Sequence, residues 1–203
     1  MVKHRDGHRT SQDGRQQMEI LCFATATDFR GWLEQNHGHS NGIWLRIYKK
    51  DSGLETVSYP QALDISLCFG WIDGQKKAFD ERSWLQKFTP RRPKSGWSKR
   101  NTEHAERLIR SGEMTAAGSR EIEAAKADGR WEAAYDSFGE SKIPEDFLKE
   151  LRRNKKAKAF FDTLNKTNLY SIAYRLQTAK NPVTREKRKQ MIIAMLAREE
   201  TFH

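Results

Sequence analysis

From Ile43 to Tyr48 the side chains alternate, with Ile43, Leu45 and Ile47 on one side and Trp44, Arg46 and Tyr48 on the other. That period of two predicts a strand with one buried face. Upstream, Asp28 to Gln35 places Phe29, Trp32 and Leu33 along one side of a short helix capped by Thr27 or Asp28, and residues 36–42 read as a loop. Lys49 to Gly53 turns the chain, and Glu55 to Ser58 is expected to pair back as a brief strand. Ser58 with Gln61 three residues on has the spacing of a capping box, and Pro60 fits the first turn. The helix that follows carries Ala62, Leu63, Ile65, Leu67, Cys68 and Phe69, apolar nearly all round, until Gly70 ends it. Two extended stretches, Trp71 to Phe79 and Ser83 to Thr89, flank Asp80-Glu81-Arg82 and predict a hairpin.

After Pro93 the pattern is helical. Ser98 caps a helix carrying Ala105, Leu108 and Ile109, and a second runs from Ala116 to Asp128 before Gly129. Pro144 opens a third, two more cover residues 157–164 and 169–178, and Asn181-Pro182 starts the last. The expected class is α+β: an N-terminal domain with a small antiparallel sheet and packed helices, then an all-helical C-terminal module. Gly139, Ser141 and Pro144 cluster at the expected boundary, giving a disordered start over 1–17, a domain over 18–138 and a module over 139–203.

Composition sharpens this picture. The 203 residues include six Trp and ten Phe, large burial units for a chain that is 32% charged. No apolar run approaches the roughly 20 residues of a membrane-spanning helix. The polar start, Met1 to Gln17, lacks the apolar core of a secretory signal, so a cytoplasmic protein is expected. Cys22 and Cys68 both sit in apolar surroundings and read as buried free thiols. The net charge of +10 is uneven: residues 1–80 are neutral, 81–110 carry +6, 111–139 carry −3 and 140–203 carry +7. Such a field attracts nucleic acid, an anionic membrane surface or an acidic ligand.

Candidate chemistry concentrates between Trp71 and Asn101. Trp71, Asp73, Trp84 and Trp97 are placed to line a pocket, with Arg91 and Arg92 as anion clamps and Ser95, Ser98 and Asn101 as hydrogen-bond donors. A capped helix start beside arginines suits a phosphate or carboxylate. The alternative is structural: Ser98 only caps, Trp71 and Trp97 are core, and the arginines are solvated. His37 and His39 lack a nearby carboxylate or cysteine to complete a metal set, and His4 and His8 fall in the polar start. No nucleophile elbow, zinc motif or phosphate loop is present, so neither metal nor cofactor is expected and no catalytic residue is assigned. Asp64, Asp73 and Asp80 leave acid–base work open. Basic residues interleaved with aromatics over Trp84 to Arg100, and Arg185 to Lys189, keep nucleic-acid binding open as well.

Several ordered motifs resemble the YdeI/OmpD-associated, or bacteriocin-protection, family. They are Trp44-Leu45 with Lys49-Lys50, Ser58-Tyr59 with Ala62-Leu63-Asp64, and Cys68 to Gly74. They continue through Phe88-Thr89-Pro90-Arg91, Ser95, Trp97-Ser98 and Asn101, then Gly112-Glu113-Met114, Ala125-Lys126 and Gly129-Arg130-Trp131. Ala179 to Arg185 with Arg188 resembles the family's C-terminal signature, so the likeness runs over residues 23–198. Tyr174 to Gln177 departs from the Trp-Ile more usual before the Ala-Lys. The resemblance implies resistance to bacteriocins or cationic antimicrobial peptides and association with an outer-membrane porin, and it carries no catalytic residues. The function expected is therefore a non-enzymatic stress-protection or binding protein that takes a small anionic ligand or an anionic protein partner. The alternatives are an enzyme acting on a small anionic metabolite, and a salt-sensitive nucleic-acid binder.

Overall fold

Thr25 begins the first helix, α1 (Ala26–Asn36), through a capping box: Thr25 Oγ1 accepts from the Asp28 N–H at 3.1 Å, and the Asp28 carboxylate accepts from the Thr25 N–H at 3.2 Å. The cap is thus Thr25, not Thr27 or Asp28, because only the Thr25–Asp28 spacing lets the two groups satisfy each other. The computed structural model describes residues 18–179 and 181–203. The expected disordered start over 1–17, with His4 and His8, lies outside the described residues, as does Lys180 of the C-terminal signature.

The sheet contains β1 (Ile20–Leu21), β2 (Ile43–Tyr48), β3 (Trp71–Ala78) and β4 (Ser83–Pro90), in the order β1-β2-β4-β3. The hairpin β3–β4 and the β2–β4 pair are antiparallel, but β1 runs parallel to β2. The sheet is therefore mixed, where an antiparallel one was expected. The two residues of β1 are too few to show a period, and the intervening α1 carries the chain back for parallel pairing. Glu55 to Ser58 forms no strand; the Val57 N–H donates to the Phe23 carbonyl at 3.0 Å without extending into a ladder. The chain there passes directly into the capped start of α2 (Tyr59–Cys68), leaving no length for a ladder.

Ile43, Leu45 and Ile47 are buried on the face that also carries Phe88, and Phe29 of α1 lies 6.0 Å from the Phe88 ring. In β3, Gly74 and Gln75 together oppose Lys87, a β-bulge that leaves ladder groups without strand partners. The buried Gln86 amide answers one of them, donating to the Gly74 carbonyl at 2.9 Å.

The chain divides into two compact units. The first holds the described residues up to Pro93 together with Leu108–Glu121, and the second holds Lys94–Arg107 with Ile122–His203. The boundary expected near 135–145 falls inside the second unit. Helices α3 (Lys99–Arg110) and α4 (Ala116–Ala127) each contribute residues to both. Beyond residue 140 the regular elements are helices alone: α5 (Glu145–Leu151), α6 (Lys155–Phe161), α7 (Lys166–Gln177) and α8 (Pro182–Ala197). Their core is one cluster that includes Phe147, Leu151, Ile172, Leu176, Ile192 and Leu196. Among the described residues no helix is long and apolar enough to cross a membrane.

Close approach fixes the first unit around the end of α2. Gly70 takes a left-handed φ of +72°, and Thr115 donates both its hydroxyl, at 2.5 Å, and its N–H, at 3.3 Å, to the Cys68 carbonyl. Gly118 then passes so near that a Cβ there would lie 2.5 Å from the Cys68 oxygen and 2.7 Å from that of Leu67. Cys68 is buried, and burial pushes its thiol pKa up. Cys22, expected to be buried, is exposed just past the end of β1.

Candidate functional site

The residues singled out in the sequence divide between the two units. Trp71, Asp73, Trp84, Arg91 and Arg92 belong to the first, and Ser95, Trp97, Ser98 and Asn101 to the second.

In the first unit, Trp71 is 1% exposed, and its indole N–H donates to the His37 carbonyl at 3.2 Å. It meets Trp32 edge-on at 5.9 Å, so its ring is packing rather than a platform open to ligand. Trp71 and Arg91 do come together, at a hollow of about 190 Å³ lined also by His37, Pro90, Arg120 and Glu121. Arg91 is 6% exposed and its N–H donates to the Gly70 carbonyl at 3.0 Å, whereas Arg92 is exposed. Asp73 and Trp84 meet elsewhere, around Tyr59. The Tyr59 hydroxyl donates to Asp73 at 2.8 Å and its ring lies 6.2 Å from Trp84.

In the second unit, Trp97 is 2% exposed and packs against Trp131 with ring centres 4.9 Å apart and planes tilted by 58°. Arg130, held by both Asp128 carboxylate oxygens at 2.7 and 2.8 Å, reaches the Ser95 carbonyl at 2.9 Å. That contact ties down the 94–97 segment, and the Arg130 hydrogen bonds hold the Asp128 carboxyl below its usual pKa. Ser98 caps α3 as expected, accepting from the Asn101 N–H at 3.2 Å. Asn101 itself is buried.

A different arrangement, not singled out in the sequence, occupies the sheet face opposite Ile43, Leu45 and Ile47. Trp44 lies there with two ammonium groups over its ring, Lys77 Nζ at 4.2 Å and Lys87 Nζ at 5.8 Å from the ring centre. Two residues along β2, the Arg46 guanidinium stacks between Tyr48 at 4.6 Å and Phe79 at 4.8 Å. Arg46 also pairs with Asp80 at 2.6 Å and donates to Ser83 Oγ at 2.9 Å. Ser83 and the Arg82 N–H donate to Asp80, and with Arg46 they hold its carboxyl below its usual pKa. The result is a row of rings and cations on the solvent side of the sheet, with Phe79 46% exposed. Alternation along β2 put Trp44, Arg46 and Tyr48 on one face; finding Lys77 and Lys87 above Trp44 required the strand register, which local pattern does not contain.

The basic stretch at the start of α8 is engaged within its own unit. Arg185 makes a two-pronged pair with Asp146, one arm at 2.8 Å, and Lys189 pairs with Glu186 at 3.0 Å and Asp146 at 3.6 Å. Arg188 donates to the Arg175 carbonyl at 2.6 Å, and Asn181 caps the helix through the Thr184 N–H at 2.8 Å. Of the signature residues, Arg185 and Arg188 thus hold α8 to α5 and α7, while Asn181 starts α8. Among the described residues no three His, Cys, Asp or Glu side chains gather as a metal site.

Residues 140–199 match the family described as bacteriocin-protection, YdeI or OmpD-associated. Residues 21–121 match a domain of unknown function, DUF8412. The likeness read from the sequence over 23–198 is thereby supported for the C-terminal segment that carries the signature. No curated protein matches, and no solved structure does.

Proposed function

We propose that this is a non-enzymatic binding protein that engages an anionic ligand or partner through the basic-aromatic face of its sheet. The observation that carries the reading is the placement of Lys77 and Lys87 about the Trp44 ring. Among the described residues no carboxylate pairs with either ammonium, so both remain available to an incoming anion. Arg92, exposed just past the hairpin, is a further cation of the same unit. A role in protection against bacteriocins or cationic peptides takes its support from the family match at residues 140–199. Because the chain carries +10, such protection acts through an anionic partner rather than by trapping a cationic peptide directly.

The test is titration of a labelled heparin oligosaccharide at several salt concentrations. The wild-type protein binds in a salt-dependent manner, and the double variant Lys77→Ala/Lys87→Ala loses about 10-fold in affinity. Equal binding by the two proteins would overturn the reading. For the protective role, a strain lacking the gene becomes more sensitive to cationic peptides; unchanged sensitivity contradicts it.

A second reading, an enzyme acting on a small anionic metabolite, draws on the hollow where Arg91 and Arg120 meet His37 and Glu121. It requires a thermal shift with inorganic phosphate or a short carboxylate that disappears in Arg120→Ala. No shift with either compound removes it.

A further inference from the structure

We infer that the occupant of the sheet face is single-stranded nucleic acid, with Trp44 and the Tyr48–Phe79 pair as base-stacking positions and Lys77 and Lys87 as phosphate contacts. This rests on the reading that the face takes an anionic partner, and it names the class of that partner.

Three observations select it. First, the rings stand at two positions along a strand rather than in one pocket. Trp44 and Tyr48 lie four residues apart on one side of β2, about 13 Å at the usual rise, so successive bases of an extended strand find separate platforms. Second, cations alternate with those rings. Arg46 lies over the Tyr48 and Phe79 rings, and the two lysines approach the Trp44 ring. Every base offers a π-face and every linkage a phosphate, so a single strand matches both elements of the row without a sequence code. An ammonium on a half-buried indole is held more weakly than a stacked base, so a base that covers Trp44 moves Lys77 outward onto the adjoining phosphate. Third, the surface is poorly suited to an added peptide strand. One edge of the sheet is β3, where the Gly74–Gln75 bulge interrupts the ladder and exposed Lys76 and Lys77 follow at once. Bulges and edge lysines are the features that discourage strand addition. A duplex fits less well too, because its bases are already stacked on one another and leave the rings unused.

The competing basic segment is weaker on the same grounds. Arg185 and Lys189 face Asp146, and Arg188 faces a helix carbonyl, so three cations of the α8 start already have partners.

The experiment compares a labelled short oligothymidine with a duplex of equal length, a heparin oligosaccharide and polyglutamate, by anisotropy under one salt condition. The key variant is Trp44→Leu, which removes the ring and keeps every charge. The inference expects oligothymidine to bind most tightly and to lose about 10-fold or more in Trp44→Leu, while heparin affinity stays within about 2-fold. If Trp44→Leu fails to fold, Phe79→Ala at the exposed end of the row serves instead, with a loss of about 5-fold on oligothymidine. Should oligothymidine and heparin bind alike, with neither variant affecting them, stacking is wrong while anion binding stands. Tighter binding of duplex or polyglutamate also overturns the inference, and binding of none of the four removes both readings.

Discussion

Arg188 of α8 donates to the carbonyl of Arg175, near the end of α7, at 2.6 Å. The same guanidinium nitrogen lies 3.3 Å from the hydroxyl of Thr178, the α7 cap residue. A cation at a helix C-terminus satisfies an orphan carbonyl and complements the helix dipole. The arginine of the family's C-terminal signature is therefore a cap supplied by the neighbouring helix. Arg188→Met keeps the aliphatic stem and removes the donor, and it should cost about 1–2 kcal/mol in denaturant unfolding. Heparin affinity should not change in that variant.

Gly118 gives the first unit a sharper test. Ala at this position would press a Cβ against the carbonyl oxygens of Cys68 and Leu67, both backbone atoms that cannot swing aside. Gly118→Ala should therefore destabilise by about 1–3 kcal/mol, even though Ala favours helices in general. A variant as stable as wild type would mean that α4 does not approach α2 this closely.

Asp146 links stability to acid. Its hydrogen bonds with Arg185, and the nearby charge of Lys189, lower its carboxyl from 3.8 to about 2. A carboxyl depressed by folding stabilises fully above the unfolded value, so the contribution is complete above about pH 4 and is lost as pH falls toward 2. The pair is half exposed, which limits the effect to about 1 kcal/mol. Urea unfolding of Asp146→Asn against wild type should show that difference at neutral pH and none near pH 2.

The two thiols should behave differently. Cys22 is exposed and Cys68 is buried with its pKa raised. A thiol reagent added to the folded protein should label Cys22 at once and Cys68 only on unfolding. Rapid labelling of both would contradict the packing around the end of α2.

What the sequence disclosed follows the range of each interaction. Caps are local, and Ser58 with Gln61, Ser98 and Asn181 were all legible as helix starts. Thr25 with Asp28, Asn154 and Asn165 had equally local spacing and passed unnoticed, although each accepts an N–H three residues on. The parallel β1 was hidden because two residues carry no period. The aromatic-polar stretch from Trp71 to Asn101 drew attention through its composition, yet Trp71 and Trp97 are sealed in cores. Composition reports which groups are present and not which side of a strand they take. The row at Trp44 depends on the pairing of Trp44 with Lys87 and on the bulge in β3, which sets Lys77 on the same side.

The most direct measurement of the central claim is a map of side-chain and amide resonances during titration with oligothymidine. The account predicts that the Trp44 indole N–H and the signals of Arg46, Lys77 and Lys87 shift together and saturate. It predicts that those of Trp71, Trp97 and the α8 residues 185–189 stay in place. Shifts confined to α8, or a Trp44 indole that remains unmoved at saturation, would contradict it.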